Sequence, residues 1–461
     1  MKTGDVPCSL NAKNGIAVVF TASVEGTSMF GTSGIRGPVG EEVTAELALA
    51  VGRAVGVDAD RIVMGRDARE SGTVLADAFA AGVREVGADV VDLSLASTPT
   101  VARAVGWYDA DAGCSITASH NPPEDNGLKL WQPDGQAFDA ELRETIEARV
   151  REGVASDLRK WDEQGSYTTA DATERHIQTL VDATTLDTQP HVVVDLGNGA
   201  GGVTVDALVE LGCHVETLNA QPDGRFPGRP SEPTAETLAT LCATVSETNA
   251  DLGVAHDGDA DRMMAVDGTG QFVPKDALLG LLAATSTADG DRVAVPVDTS
   301  LAVEDHLDAK GVGVEHTPVG DVYVAAAVGD GVPFGGEPSG AWIWPEQTRC
   351  PDGPLAACRL VELAAERPIE QRIEEIPRYP IRRTNVETDN KAETMATVRK
   401  KVNREYDETA VTTLDGVRVD LGNSWFLIRA SGTQPLLRIT AEARDEQQAQ
   451  TALERATELV N

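Results

Sequence analysis

The stretch His191-Val-Val-Val-Asp-Leu-Gly197 decides the fold, because its pattern occurs three times in the chain. A short β-branched run ends in a Gly- or Asp-rich turn, an amphipathic helix follows, and a second β-rich run returns. Arg61-Ile-Val-Met-Gly-Arg-Asp67 and Arg292-Val-Ala-Val-Pro-Val-Asp298 open the other two copies. The helical patterns reach Val86, Leu211 and Ala309, and the returning runs lie near residues 90–93, 215–218 and 312–316. Runs this short and apolar suit buried strands, and a strand-helix-strand unit closes onto its sheet by a right-handed crossover. The repeat therefore predicts three similar α/β domains with mixed sheets.

Beyond residues 367–380 the grammar changes, with Pro368, Pro377 and Pro380 interrupting the helical pattern. A helix-like segment at 390–406, short strands near 417–421 and 425–429, a loop at 430–435, a strand at 436–441 and a closing helix from Glu446 predict a smaller C-terminal α+β domain. The expected organisation is an extension over 1–28, α/β domains over 29–155, 156–268 and 269–370, and the α+β domain over 371–461. In the extension Lys2 and Lys13 balance Asp5 and Glu25, so the excess negative charge lies beyond Met29. This reading favours Met29 as the natural start of the folded protein.

The 461 residues, 41% of them hydrophobic, can supply several separate cores. Against 74 acidic residues stand 39 basic ones, a net charge of -35, which argues against nucleic-acid binding. Arginine supplies most of the cations, and lysine is scarce. Such a carboxylate-rich surface suits a high-salt cytosol, where molar salt shortens the screening length to ~3 Å. No apolar run approaches the ~18 residues of a membrane span, and 16–22 is too short for a signal peptide, so a soluble cytoplasmic protein is expected. The six cysteines show no paired C-x-x-C spacing, which favours reduced, buried thiols.

Each repeat leads into a loop in the same slot: the first into Ser119 of Thr117-Ala-Ser-His-Asn-Pro122, the second into Asp257-Gly-Asp-Ala-Asp-Arg262, the third into Gly336-Glu-Pro-Ser-Gly340. Loops at equivalent ends of similar sheets can converge on one cleft. Asp257, Asp259 and Asp261 place three hard oxygen ligands within five residues, as a small divalent cation requires. An EF-hand reading fails, because Arg262 and Gly268 stand where that loop needs glycine and glutamate. A haloacid-dehalogenase-like phosphatase would explain the aspartates but not the Ser119 loop.

A serine that carries phosphate needs activation, and Lys129 is the one lysine between Lys13 and Lys160. In a chain that otherwise uses arginine, this isolated lysine suggests a group that can lose a proton. A surface lysine on a strand fits the spacing equally well. Arg262 directly after the aspartates points to an anion, and Arg429-Ala-Ser-Gly-Thr-Gln-Pro435 offers a guanidinium, two hydroxyls and a turn suited to phosphate. His256 reads as a packed neutral ring, and His120 as a residue that orients the serine loop. No P-loop motif exists. Gly197-Asn-Gly-Ala-Gly-Gly202 does fit G-x-G-x-x-G, with Glu216 near the distance of a ribose-binding acid, so a dinucleotide site stays open as a rival.

Taken jointly, Thr32-Ser-Gly-Ile-Arg-Gly37, the Ser119 loop, the aspartate loop, Gly336-Glu-Pro-Ser-Gly340 and the Arg429 loop resemble the α-D-phosphohexomutase superfamily in order and separation from about residue 29 to the end. The resemblance implies a heart-shaped, four-domain architecture. It also implies that Ser119 is the phosphoserine, and that Asp257, Asp259 and Asp261 hold Mg²⁺ with a phosphoserine oxygen. Arg36, Lys129 and Arg262 would assist proton transfer and stabilise transferring charge. Glu337 and Ser339 would bind sugar hydroxyls, while Arg429, Ser431, Gly432 and Thr433 grip the phosphate that is not reacting. The expected partners are small sugar phosphates, with hexose 1,6-bisphosphate as activator and a haloarchaeal source. Phosphoglucosamine mutase is the first choice of activity, with phosphoglucomutase or phosphomannomutase as alternatives. A metal-dependent sugar phosphatase and a sugar-phosphate-binding regulator are the rivals from other classes. Two positions depart from the family: Gln434 replaces the usual acid of the phosphate loop, and Ala341 stands where several members have histidine.

Overall fold

The computed structural model describes residues 29–31, 33–154, 157–431 and 435–460. Residues 1–28, and with them the reading of Met29 as a start, lie outside that range, as do Gly432, Thr433 and Gln434 of the expected phosphate loop.

Four sheets follow one another along the chain. The first contains β1 (Ile35–Pro38), β2 (Arg61–Arg66), β3 (Asp89–Leu95), β4 (Ala112–Ile116), β5 (Asp125–Trp131) and β6 (Tyr167–Thr169) in the order β1-β5-β4-β2-β3-β6. The second contains β7 (His191–Asp195), β8 (His214–Leu218), β9 (Leu252–His256) and β10 (Met263–Asp267), ordered β10-β9-β7-β8. The third contains β11 (Arg292–Pro296), β12 (Gly313–Thr317), β13 (Phe334–Glu337) and β14 (Ala341–Ile343), ordered β12-β11-β13-β14.

Read from the same side, these sheets are one design used three times. In each, the strand that opens the repeat lies centrally between two parallel neighbours, and the outer of these pairs with an antiparallel return strand. The central strands are β-branched because helices cover both faces: Val192, Val193 and Val194 are fully buried. Each expected functional loop joins a parallel strand to its antiparallel return, β4 to β5, β9 to β10 and β13 to β14. Their positions in the three domains are therefore equivalent.

The fourth sheet is antiparallel, with β15 (Ile381–Glu387), β16 (Val411–Thr412), β17 (Val417–Asp420), β18 (Ser424–Ala430) and β19 (Leu436–Ala443) in the order β15-β19-β18-β17-β16. Helices Lys391–Glu405 and Glu446–Val460 bury Val398, Val402, Ala452 and Ala456 in one core with Val417, Ile428 and Ile439. This is the α+β domain the sequence predicts.

Buried polar contacts join the units. Arg103, on helix Thr98–Trp107, donates to Asp352 at 2.8 Å, and the same carboxylate caps helix Gly353–Glu366 through the Leu355 amide. Glu442 of β19 accepts from the Ser300 hydroxyl, the Leu301 amide and the Trp425 indole, which ties the fourth sheet to the third domain. The second and third domains share one continuous apolar core, from Leu180 and Val193 through Met264 and Leu282 to Phe334 and Ile369. No described helix is long and apolar enough to cross a membrane.

Candidate active site

Ser119 is buried and holds a left-handed backbone, φ 51°, which a residue with a Cβ adopts only when its surroundings demand it. Its amide donates to the Thr117 hydroxyl at 2.8 Å, and that hydroxyl donates to Asp67 at 2.7 Å. Its side chain donates to Asp257 Oδ2 at 2.5 Å. The residues of the first and second loops, 138 positions apart, thus meet through one hydrogen bond. His120 Nδ1 lies 3.4 Å from the serine oxygen, yet burial and the nearby charges of Arg262, Arg36 and Arg69 lower its pKa to about 3. So weakly basic a ring orients the hydroxyl and does not take its proton at neutral pH.

The three aspartates are buried, with ligand oxygens all within 4.8 Å of one another. Burial, then the mutual repulsion with Asp259 and Asp261, holds Asp257 well above the usual carboxylate range; burial and Asp259 raise Asp261 to about 6. Asp259 accepts from the Thr98 hydroxyl at 2.7 Å, but its Oδ1 and that of Asp261 are buried and accept no hydrogen bond from the described residues. Buried anionic oxygens without donors are costly, and a cation among them removes that cost. Three converging carboxylates and no nitrogen or sulfur donor fit a hard divalent ion. His256, next to the triad, is spent on the Arg262 carbonyl and the Thr204 hydroxyl, and burial lowers its pKa to about 4.

The glycine run after β7 packs against this loop. A Cβ on Gly199 would lie 2.6 Å from the Gly258 carbonyl, one on Gly201 3.1 Å from His256, and Ala200 donates its amide to Gly258. The glycines let the aspartate loop pack backbone to backbone. Glu216, the expected ribose acid, bonds His191 instead.

Lys129 is buried on β5, two residues beyond the partner of Arg36 in β1. Its ammonium donates to Asp321 at 2.5 Å and lies 3.7 Å from Asp261. Burial opposes the charge, but Asp321 and Asp261 more than offset it and raise the pKa above the ordinary lysine value. In this arrangement Lys129 is therefore an ammonium, suited to giving a proton or holding charge rather than to taking a proton. Arg36 has a buried Nε without a partner among the described residues, and Arg262 has its charge strengthened by Asp257 and Asp261 against the cost of burial.

Glu337 closes β13, accepting from the Gly320 amide at 2.7 Å and from the Ser339 hydroxyl at 3.0 Å. Burial and Asp321 raise its pKa to about 7. Glu337 and Ser339 line a cavity of about 160 Å³ with Asp276, Asp298 and Arg383, between the third and fourth domains. The third loop is bound to the second: Met263 donates its amide to Gly340, and Trp342 donates its indole N–H to the Met263 carbonyl. Arg429 is held by Asp415 at 2.8 Å and lies 3.6 Å from Asp298, one of the residues that line this cavity, and the Ser431 carbonyl accepts from Lys391 at 2.6 Å.

Four of these groups escaped the sequence reading. Asp321 follows an unremarkable Pro-Val-Gly and carries no motif. Thr98 opens a helix in another domain. Lys391 begins a helix 40 residues from Ser431. Arg69 donates to the carbonyls of Ser119, Asn121, Pro122 and Asp125. Only Arg69 left a trace, as an arginine two residues beyond the first repeat's Asp67.

A buried serine bonded to a carboxylate triad at the ends of repeated sheets is the arrangement of a phosphoryl-transfer protein. The sequence matches phosphoglucomutase/phosphomannomutase alpha/beta/alpha domains I, II and III over residues 27–156, 174–270 and 274–379, and the C-terminal domain over 384–459. The chain belongs to the phosphoglucomutase/phosphomannomutase family, the α-D-phosphohexomutases, and is a mutase of the isomerase class. Among its relatives, a "Probable phosphoglucosamine mutase" of Methanopyrus kandleri is 44% identical over 94% of this chain and 97% of its own. One of the same description from Methanosarcina barkeri is 45% identical over 90% and 95%. The crystal structure of a phosphoglucomutase/phosphomannomutase family protein from Burkholderia thailandensis matches with a TM-score of 0.82 at 27% identity, covering 94% of this chain and 98% of its own.

Proposed function

We propose that this mutase interconverts glucosamine 1-phosphate and glucosamine 6-phosphate through a phosphoserine at Ser119 and a hexosamine 1,6-bisphosphate. The observation that carries the reading is the 2.5 Å hydrogen bond from the Ser119 hydroxyl to Asp257, a member of the carboxylate triad. Phosphoryl transfer passes through a loose transition state, so catalysis rests on position and on neutralising charge. Asp257, Asp259 and Asp261 would hold Mg²⁺, which when bound supplies positive charge to the transferring phosphoryl group. The Lys129 ammonium, held by Asp321, would donate a proton or steady charge at the reacting oxygen, and Arg262 and Arg36 would add local positive charge. Such short-range cations can act within a strongly negative chain because salt screens the distant carboxylates.

Glu337 and Ser339 would orient the sugar through its hydroxyls. Arg429, Ser431 and the segment 432–433 would hold the second phosphate once Arg429 exchanges Asp298 and Asp415 for it. After the first transfer the bisphosphate turns over, and its other phosphate returns to Ser119. A trace of hexose 1,6-bisphosphate would then activate the enzyme by phosphorylating free serine.

The choice of glucosamine is supported by the names of the relatives and by the cavity beside Glu337. Asp276 and Asp298 line it with Glu337 and Arg383, so carboxylates outnumber the one cation, a balance that suits the 2-ammonium of this sugar. The test compares glucosamine, N-acetylglucosamine, glucose and mannose 1-phosphates with a trace of the matching bisphosphate. Glucosamine should have the highest kcat/KM, and Asp298→Asn should lower its advantage over glucose about tenfold. A wild-type preference for glucose or mannose would refute the sugar assignment. Accumulation of inorganic phosphate in place of the 6-phosphate would refute the mutase reading in favour of hydrolysis.

A further inference from the structure

The loop over residues 223–231, between β8 and helix Ala239–Thr248, reaches out of the second domain and lies on the serine loop of the first. A Cβ on Gly224 would fall 2.5 Å from the Ala68 carbonyl and from Arg69 Cα, and the Phe226 ring sits 5.0 Å from the Arg69 guanidinium. Within this contact two buried arginines hold the two loops of the active site. Arg69 pairs with Asp67 and donates to the carbonyls of Ser119, Asn121, Pro122 and Asp125. Arg229 pairs with Asp195 and donates to the carbonyls of Ser231 and of His256, the residue before Asp257.

Ser231 joins the two clamps. Its hydroxyl donates to the Ser119 carbonyl at 2.8 Å, the oxygen that Arg69 also holds, at 2.9 Å. A Cβ on Gly258 would lie 2.8 Å from both the Ser119 carbonyl and the Ser231 hydroxyl, so the aspartate loop closes the same spot. One buried chain of hydrogen bonds therefore runs from Asp67 through Arg69, the Ser119 carbonyl, Ser231 and Arg229 to the aspartate loop. We infer that Ser231 is a positioning residue, the cross-domain latch that, with Arg69 and Arg229, sets the Ser119 hydroxyl against the carboxylate triad.

The reason is conformational. A serine in the left-handed region stays there only while its peptide groups are over-determined, and three of the bonds that do so are the Thr117 hydroxyl on its amide and Arg69 and Ser231 on its carbonyl. Phosphoryl transfer depends steeply on placement. Releasing one bond lets the loop sample conformers in which the hydroxyl points away from the triad. The sugar, held by the third and fourth domains, is unaffected.

The test is Ser231→Ala, which removes one hydroxyl, measured on the full chain in the salt that supports activity. This inference rests on Ser119 as the phosphoryl carrier, so Ser119→Ala is assayed in parallel. The expected result is a kcat about tenfold lower with KM for the sugar phosphate within twofold of wild type, and the same melting temperature. Amide hydrogen exchange in the metal-free protein should rise at residues 117–121 and nowhere outside the two loops. An unchanged kcat, unchanged exchange at 117–121, or losses in kcat, KM and melting temperature together would each overturn the latch. Ser119→Ala that still isomerises sugar phosphates would instead overturn the functional reading beneath it.

Discussion

Metal binding should expel protons from this site, by an amount the triad's geometry sets. With the ligand oxygens within 4.8 Å of one another, two ionised carboxylates at an effective dielectric constant of 20 repel by at least about 3 kcal/mol. Three charges make three such pairs, about 10 kcal/mol if all are ionised, and Lys129 at 3.7 Å from Asp261 offsets only part of it. The metal-free enzyme relieves the strain by holding protons, which is why burial and neighbouring aspartates raise Asp257 and bring Asp261 to about 6. A divalent ion requires the ionised forms. Binding at pH 6 should therefore release protons, and affinity should fall as pH drops below about 6, by up to about tenfold per unit for each carboxylate that must ionise.

The sign for stability follows from the same shifts. Carboxylates whose folded pKa is raised bind more protons folded than unfolded, so the triad's contribution to the stability of the metal-free protein is lost as pH rises from about 4 through about 6. Saturating Mg²⁺ should abolish or reverse that slope. Titration calorimetry at pH 6 in buffers of different ionisation enthalpy measures the protons released, and melting curves with and without Mg²⁺ measure the slope. Mg²⁺ affinity that stays constant between pH 5 and 7, with no proton release, would refute the assignment of the triad as the cation site.

Other outcomes follow from single contacts. Asp321→Asn removes the nearest counter-charge of a buried ammonium, so the alkaline limb of kcat should move downward in a pH–rate profile, and a limb that stays in place would refute the pairing. Glu337 ionises near pH 7, so KM for glucosamine 1-phosphate should fall as pH rises from 6 to 8, and Glu337→Gln should flatten that dependence. Asp352→Ala leaves Arg103 buried without its carboxylate and helix Gly353–Glu366 without its cap; a melting temperature within about 2 °C of wild type would show the bridge to be idle. With a net charge of -35, transfer from molar to 0.1 M salt lengthens screening from ~3 to ~10 Å and should cost ellipticity and activity together, and unchanged values in dilute buffer would refute a high-salt adaptation.

Much of this site was legible because its chemistry is local in sequence. A β-branched run that opens a strand-helix-strand unit can be recognised wherever it recurs, and the loop that follows each unit inherits an equivalent place in the sheet. Asp257, Asp259 and Asp261 stand out by their alternate spacing, which in so acidic a chain also fits a solvated turn, and it is their shared burial and convergence that set them apart. The residues that were not legible act through main-chain atoms or across domains. Arg69 and Arg229 bind carbonyls, which every residue has, so their targets leave no pattern. Asp321 matters because Lys129 lies opposite it, 192 positions away. The glycines after β7 illustrate the reverse error: the sequence admits a dinucleotide turn, and only the neighbouring aspartate loop, too close for a Cβ at Gly199, shows what they accommodate.

The lysine illustrates why residue type alone leaves a role open. Its isolation among arginines suggests a group chosen for its ability to lose a proton, and burial by itself would push it that way. The fold answers with Asp321 at 2.5 Å, and the two carboxylates outweigh the desolvation. The balance is conditional, because Asp261 is also a candidate cation ligand. A divalent ion held by Asp261 would share its charge, so the carboxylates would hold the ammonium less firmly and Lys129 would give its proton more easily. Metal and lysine are then coupled through one aspartate: Asp261→Asn should weaken Mg²⁺ binding and lower the alkaline pKa of kcat in the same protein. A variant that lost Mg²⁺ affinity while the alkaline limb stayed in place would show that the two functions are separate.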